Sequence, residues 1–386
     1  MKTIAFIPVR GGSKSIPLKN IKPFCGKPLV CWNIEALEDC DLIDEIIVAT
    51  DSEKIEETVL AQSYKKTKIY HRSAENACDT ASTESVMLEY INYAHLSQEN
   101  IFILVQATSP LTETRHFTEA LSIYKNHQYD SMLTCVRNYR FFWNENGTSK
   151  NYDYMNRPRR QNFKGELMEN GAFYINTVNN ILKSGNRLSG NIGIYEMPEY
   201  TATEIDEPDD WIILENLMRK HILSKRVFQS KIKLFLSDVD GTLTDGGMYY
   251  SEKGDELKKF NTRDGMGFQL LHEAGIKTGI ITSEQTRIVE DRAKKLKIDF
   301  LVQGKRDGGK LAAAQEICDN LGITLNEVAY IGDDLNCQEL LEAVGVAACP
   351  ADANIAIKNM VSIHIMSRKG GEGCVREFIE LINRYE

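Results

Sequence analysis

Short apolar runs alternate with longer amphipathic stretches from one end of this chain to the other, and that alternation restricts its fold more than any other feature. It is the pattern of βαβ units around parallel sheets, whose strands are buried on both faces and whose crossover helices bury one. In the first half the expected strands are residues 4–9, 45–50, 101–106, 131–136 and 172–176; in the second they are 233–237, 278–282, 300–303, 328–332 and 345–348. Between the two sets, residues 211–229 read as a helix with a basic end at 220–226, followed by a fresh strand, so a boundary is expected near residue 228. The expectation is an α/β protein of two tandem doubly wound domains, 1–228 and 229–386, a size that suits the roughly 100 to 200 residues of a typical domain.

The remaining composition narrows the function classes. Hydrophobic residues at 42% and charged residues at 26% are ordinary globular values, which removes disordered, collagenous and coiled-coil readings. A net charge of −9 argues against a nucleic-acid partner. No apolar stretch approaches the roughly 18 residues of a membrane span, and the chain runs from Thr3 straight into a strand without an apolar leader; a cytoplasmic protein without a membrane partner is expected. Nine cysteines stand singly, with no CxxC pair and no nearby His cluster, so neither a zinc motif nor a disulfide framework is indicated, and reduced, mostly buried thiols are expected.

Ligands of doubly wound sheets bind at the carboxyl ends of strands. The first strand ends in Arg10-Gly11-Gly12-Ser13-Lys14-Ser15-Ile16-Pro17-Leu18-Lys19-Asn20. Two glycines permit a tight turn with exposed amides, and Arg10, Lys14 and Lys19 bring the positive charge a triphosphate needs. The run is neither a Walker motif nor GxGxxG, and on its own it is equally a solvated turn. Other strand ends carry matching polar groups: Thr50-Asp51-Ser52, residues 79–83, and Gln106-Ala107-Thr108-Ser109-Pro110. Most telling is Glu204-Ile205-Asp206-Glu207-Pro208-Asp209-Asp210, five carboxylates in seven residues. A helix start needs only one such group as a cap, so the excess points to a cation such as Mg²⁺.

The runs IAFIPVRGGSKSIPLKNI, HRSAENACDTAST, LVQATSPL, RPRRQNFKGELMENGAFYI and EIDEPDDW, five ordered blocks across residues 4–211, resemble the CMP-sialic acid synthetases. Two positions depart from that pattern: Met168 stands where many bacterial members carry Arg, and Ser15 where the family usually has Gly. The resemblance implies a Rossmann-like nucleotidyltransferase domain that moves CMP from CTP to the anomeric hydroxyl of a nine-carbon 2-keto acid of the sialic type, deaminated or N-acetylated, releasing pyrophosphate. It implies that Arg10, Lys19, Asn20, Arg72 and Ser82 hold the nucleotide, with Arg10 and Lys19 also catalytic. Gln106, Arg160, Asn170 and Tyr174 would then face the sugar acid. Asp206 is the first choice for the Mg²⁺ ligand, with Asp210 and Glu204 as helpers, because alternating positions past a strand can converge on one ion.

The second domain opens with Leu234-Phe235-Leu236-Ser237-Asp238-Val239-Asp240-Gly241-Thr242. Spacing by two on an extended segment points both aspartates to one side. That suits Asp238 as a nucleophile forming an aspartyl-phosphate and Asp240 as the acid protonating the leaving alcohol. Further along come Thr282 for a phosphoryl oxygen, Lys310 for its charge, and Asp333 to complete a Mg²⁺ shell with Asp238 and Asp240. Gly304 to Lys310 satisfies GxxxxGK, but Leu311 follows in place of the Ser or Thr a P-loop requires. DxDGT, Thr, Lys and GDD together resemble the haloacid dehalogenase (HAD) phosphatases across residues 231–386.

The interval from Asp240 to Thr282 is accounted for by a flap-like hairpin pattern at 246–260 and a helix at 265–273, so no cap domain is expected there or before Lys310. Asn261-Thr262-Arg263-Asp264-Gly265 and the run Arg368 to Glu377 resemble the capless octulosonate 8-phosphate and nonulosonate 9-phosphate phosphatases. That likeness implies a homotetramer, with Arg263 and Arg368 on the sugar-acid carboxylate. The leading expectation is a bifunctional enzyme whose partners are CTP, a sialic-type acid and its 9-phosphate. The alternative is a cytidylyltransferase alone, its second domain a non-catalytic tetramerisation module.

Overall fold

The computed structural model describes residues 1–12, 15–78, 80–223, 231–254, 256–306, 308–360 and 363–383. The chain divides into two compact units, Met1–Met218 and Arg219–Glu386. The boundary expected near residue 228 and the loop residue Lys14 both lie outside the described residues.

The first unit is built on a seven-stranded sheet, in spatial order Thr67–His71, Glu45–Thr50, Thr3–Pro8, Ile101–Val105, Glu166–Thr177, Ser131–Asn138 and Ile192–Met197. Along the central Thr3–Pro8 strand, Ala5 and Ile7 enter one core and Ile4 and Phe6 another, so both faces are covered. The sheet departs from the expected parallel arrangement at Glu166–Thr177, which runs antiparallel to both neighbours. The cause is connectivity. Residues 139–165 contain no crossover helix, only the 3₁₀ turn Arg160–Asn162, and a chain returning without a crossover comes back antiparallel.

Two strands of this seven-stranded sheet are absent from the sequence reading. Thr67–His71 is a partly exposed edge. Ile192–Met197 exposes Ile192 and Ile194 while burying Tyr195 and Met197, so its apolar residues occupy both faces and give no alternating contrast. The acidic run leads into the helix Pro208–Met218, which starts on a proline whose missing amide costs nothing at that position.

The second unit carries a six-stranded parallel sheet in the order Phe300–Val302, Lys277–Ile281, Leu234–Ser237, Val328–Ile331, Val346–Cys349 and His364–Ile365. Leu234 and Leu236 pack into one core and Phe235 into the other. The registers Ser237↔Ile280 and Ser237↔Ile331 bring the ends of three strands, and hence Asp238, Thr282 and Asp333, side by side. Among the described residues, the interval from Asp240 to Thr282 holds a pair of two-residue strands, Tyr249–Tyr250 and Glu256–Leu257, the helix Thr262–Glu273 and the sheet strand Lys277–Ile281. That helix begins before the expected Gly265 because the Asn261 side chain accepts from the Arg263 amide at 2.9 Å. Between Thr282 and Lys310 the described residues form only the helix Arg287–Leu296 and the strand Phe300–Val302, and no cap domain is seen among them. Among the described residues no helix is long and apolar enough to cross a membrane.

Candidate active sites

At the carboxyl edge of the first sheet lies a cavity of about 320 Å³, and Arg10, Lys19, Asn20, Arg72, Ser82 and Gln106 all line it. Asn20 donates to the Arg10 carbonyl at 3.1 Å, tying the two ends of the glycine loop together, and Asp51 accepts from the Gly11 amide at 2.9 Å. Arg72 anchors its guanidinium on the Ala49 carbonyl at 3.0 and 2.8 Å. Burial lowers its pKa, partly offset by the Asp51 charge. Ser82 caps the helix Thr83–Tyr93 by accepting from the Ser85 amide at 3.0 Å, which sets the positive end of that helix at the cavity. Lys19 donates to the Ile205 carbonyl at 2.6 Å and lies 3.4 Å from Asp206.

The acidic run does not gather as expected. Asp206, Asp210 and Glu204 do not come together as three ligands around one point. Asp210 turns back to accept from the amides of Asp206 and Glu207 at 3.0 and 2.8 Å, a local bond at the start of the helix Pro208–Met218. Glu204 turns inward to Thr108 at 3.3 Å, and burial, with the Asp206 charge, raises its pKa. Glu204 approaches so closely that a Cβ on Gly171 would fall 1.6 Å from its carboxylate, which explains glycine at a backbone φ of +66°. Ser15, the departure from the synthetase pattern, donates to Glu207 at 3.1 Å.

Three residues assigned to the sugar acid are not brought to this cavity. Tyr174 is buried, pairs across the sheet with Leu104 and Leu133, and donates to Glu169. Asn170 is buried and donates to the Thr201 carbonyl at 3.1 Å. Arg160 is exposed, 3.3 Å from Glu199. The cavity also takes in Thr108, from the polar run that ends its strand, and Asn76 and Cys78, to which the sequence reading gave no role. Cys78 is the exposed cysteine; the other eight are buried and all nine are free.

A second cavity, about 530 Å³, opens at the carboxyl edge of the other sheet and is lined by Asp238, Asp240, Thr282 and Asp333. Behind it Lys310 donates to Asp238 Oδ2 at 2.7 Å, both side chains nearly fully buried. Burial alone would lower the Lys310 ammonium, but the adjacent Asp238 charge overrides it and holds the pKa above its usual value. The Val239 amide donates to Asp238 Oδ1 at 2.8 Å, so the backbone orients the carboxylate. Asp333 is pushed up to about 7, by burial and then by the charge of Asp238.

Asp240 does not join Asp238 and Asp333 as a side-chain cation ligand. Its carboxylate accepts from Lys258 at 2.7 Å, and Lys258 also reaches Glu284 at 2.7 Å. Burial raises the Asp240 pKa against the pull of Lys258, a state suited to carrying a proton. Lys258 and Glu284 were missed in the sequence, and so was Arg306, which lines the cavity from within the P-loop-like run.

Arg263 and Arg368 line neither the first nor the second cavity. They border a third, about 540 Å³, with Arg376 and Glu377, so within one chain they do not reach the Asp238 cleft.

Gly241 makes the closest approach in the cleft. Its φ is +76°, and a Cβ there would lie 1.9 Å from Asp333 Oδ2. Gly241→Ala is therefore expected to lower stability by about 1–3 kcal/mol, measured by denaturant unfolding, and to displace Asp333.

The two cavities have the residue chemistry of two phosphate-handling sites, and the relatives of the chain divide the same way. Residues 4–230 match the cytidylyltransferase family, and residues 304–377 match the haloacid dehalogenase-like hydrolases. N-acylneuraminate cytidylyltransferases B and A of Danio rerio are 32% and 34% identical to this chain over 98% of its length, covering 89% and 88% of their own. A 3-deoxy-D-manno-octulosonate 8-phosphate phosphatase of Yersinia pestis is 41% identical over 40% of the chain and 80% of that protein. With a matching profile over more than half its residues and relatives aligned almost end to end, this chain belongs to the cytidylyltransferase family that includes the N-acylneuraminate cytidylyltransferases, and its second half is haloacid dehalogenase-like.

Proposed function

We propose that this chain is a bifunctional enzyme of sialic-type acid activation. One half hydrolyses a nonulosonate 9-phosphate, and the other transfers CMP from CTP to the anomeric hydroxyl of the freed acid, releasing pyrophosphate. The observation that carries the reading is that each sheet has its own cavity at its carboxyl edge, one rich in cations and one built on the buried Lys310–Asp238 pair.

In the first cavity Arg10, Lys19 and Arg72 attract the triphosphate and the amino end of Thr83–Tyr93 adds its dipole. Asn20 and Ser82 position the nucleotide, and Gln106 faces the acid. The anomeric hydroxyl oxygen attacks the α-phosphorus and loses its proton to solvent as the bond to the β-phosphate oxygen breaks, and Lys19 offsets the charge that grows on the departing pyrophosphate.

In the second, Asp238 attacks phosphorus while Asp240 gives its proton to the leaving sugar oxygen. Water then attacks the aspartyl-phosphate, Asp240 takes its proton, and phosphate departs. Thr282 and Lys310 hold the phosphoryl oxygens.

Mg²⁺ suits both places by donor chemistry, with Asp206 offered in the first and Asp238 with Asp333 in the second; when bound it supplies positive charge on non-bridging phosphate oxygens. Only ionised Asp333 can hold a cation, and its folded-state pKa is near 7 without one. Mg²⁺ affinity of the second half should accordingly rise with pH through about 7 and be about tenfold weaker at about pH 6 than at about pH 8. Calorimetric titration at the two pH values checks this, and Asp333→Asn should flatten the dependence.

A homotetramer in the cytoplasm completes the reading. The fish relatives support the alternative, since proteins named only as cytidylyltransferases align with this chain over its second half as well. Incubating the full chain with CTP, Mg²⁺ and a panel of free and phosphorylated sugar acids decides between them. Bifunctionality requires pyrophosphate release with free acids and phosphate release with 9-phosphates. Pyrophosphate alone, with no phosphate from any nonulosonate or octulosonate phosphate, rejects bifunctionality, and the assembly-module reading then requires that truncation after residue 228 change the oligomeric state.

A further inference from the structure

Asn76 lines the first cavity from the loop that follows the edge strand Thr67–His71, and a single carboxylate fixes it there. Glu89, on the helix Thr83–Tyr93, accepts from the Asn76 side-chain amide, from the Ser73 amide and hydroxyl at 2.9 and 2.5 Å, and from the Tyr70 hydroxyl at 2.6 Å. Burial pushes the Glu89 carboxyl up, but these bonds outweigh it and hold its pKa down to about 2, so near neutral pH the group is an anion and can only accept. What it takes from Asn76 is therefore the NH₂ group. The Asn76 backbone amide is tied in turn to the Ser73 carbonyl at 3.1 Å, while among the described residues Oδ1 of its side chain has no hydrogen-bond partner. With the nitrogen committed and the backbone held, the polar atom that Asn76 has left to offer the cavity is an acceptor.

Position in the sheet indicates what meets that acceptor. The glycine loop follows Thr3–Pro8, and Gln106 follows the neighbouring strand Ile101–Val105. Thr67–His71 lies two places from Thr3–Pro8 on the opposite side, about 10 Å away at the usual strand spacing. A triphosphate on the loop and an acid at Gln106 leave the Asn76 end of the cavity for the base. At its position 4 cytosine carries an amino group that donates, and uracil a carbonyl that accepts. We propose that Asn76, locked by Glu89, is a specificity-determining residue that admits cytosine and rejects uracil. Its Oδ1 accepts from the 4-amino group, whereas a uracil 4-carbonyl sets two acceptors against each other. Glu89 does not line the cavity and acts as a positioning residue. The inference rests on the reading of the first cavity as a CTP site and names what selects the base there.

The test measures kcat/KM for pyrophosphate release by the full chain with a free sialic-type acid and three nucleotides: CTP, UTP and the triphosphate of pyrimidin-2-one riboside, which has no group at position 4. The parent chain should prefer CTP over UTP by at least about a hundredfold and over the pyrimidinone by about tenfold. Asn76→Ala should lower CTP to the level of the pyrimidinone and cut the CTP-to-UTP ratio at least about tenfold. Glu89→Gln keeps the size of the side chain but brings an NH₂ group of its own, so the Asn76 amide is free to turn over and present its nitrogen. That variant should gain on UTP while losing on CTP, which a merely loosened loop would not produce. Either variant decides alone if the other fails to fold. A parent chain that does not discriminate, or a folded variant whose ratio stays within about threefold of the parent, overturns the proposal. Where the parent chain releases pyrophosphate from CTP, such a result removes this inference alone; where it releases none from any nucleotide, the reading of the first cavity falls with it.

Discussion

Asp238→Asn is expected to abolish phosphate release from a nonulosonate 9-phosphate, by a factor of at least about 10⁴, while pyrophosphate release from CTP continues. Two physical effects add. An amide nitrogen or carbonyl oxygen is a far poorer nucleophile than a carboxylate, so the covalent step has no attacking group. The site also cannot accommodate the amide. Oδ2 accepts from Lys310 at 2.7 Å and Oδ1 from the Val239 amide at 2.8 Å. Whichever way the new side chain is turned, its NH₂ group meets one of these donors. Lys310, buried with its partner, then lacks a counter-charge, and breaking a buried pair costs about 3–5 kcal/mol. The variant should therefore unfold at lower denaturant concentration, and its residual activity has to be expressed per folded molecule. A folded variant that releases phosphate within tenfold of the parent chain would exclude Asp238 as the nucleophile.

How far the site was legible depended on the length scale of each interaction. Strand ends were legible because burial on both faces writes a continuous apolar run, and the polar residue that ends it marks the edge: Asp238, Thr282 and Gln106 all lie where that rule puts them. Asp210 shows what the acidic run could not reveal. Clustered carboxylates look alike in sequence, but a helix start three residues away offers two amides, and Asp210 is engaged by them. Tyr174 was misplaced for another reason. Strand geometry sends alternate residues to opposite faces, and this one faces the core beside Val178 and Phe102. Lys258 was invisible because its meaning lies in partners from other parts of the chain, Asp240 and Glu284. No periodicity encodes such meetings; the folded chain creates them.

Lys19→Ala should reduce pyrophosphate release by about 10²–10³ in kcat, with a smaller change in KM for CTP and none in phosphate release. The ammonium donates to the Ile205 carbonyl at 2.6 Å and to Asp206 at 3.4 Å, which leaves a proton for a ligand in the cavity it lines with Arg10 and Arg72. Before reaction those three cations share the triphosphate charge, so loss of one weakens ground-state binding modestly. As the α–β bridge breaks, charge accumulates on the departing pyrophosphate, and a cation fixed in advance by a backbone carbonyl stabilises that state without reorganising. Asp206, 3.4 Å from the ammonium and largely exposed, gives the control. If it serves the cation, Asp206→Asn should raise the Mg²⁺ concentration for half-maximal rate, and excess Mg²⁺ should restore much of kcat, whereas no concentration of Mg²⁺ should rescue Lys19→Ala. Should Lys19→Ala instead raise KM with kcat intact, the lysine contributes to nucleotide affinity alone, and the stabilisation of the leaving group has to come from Arg10 and the metal.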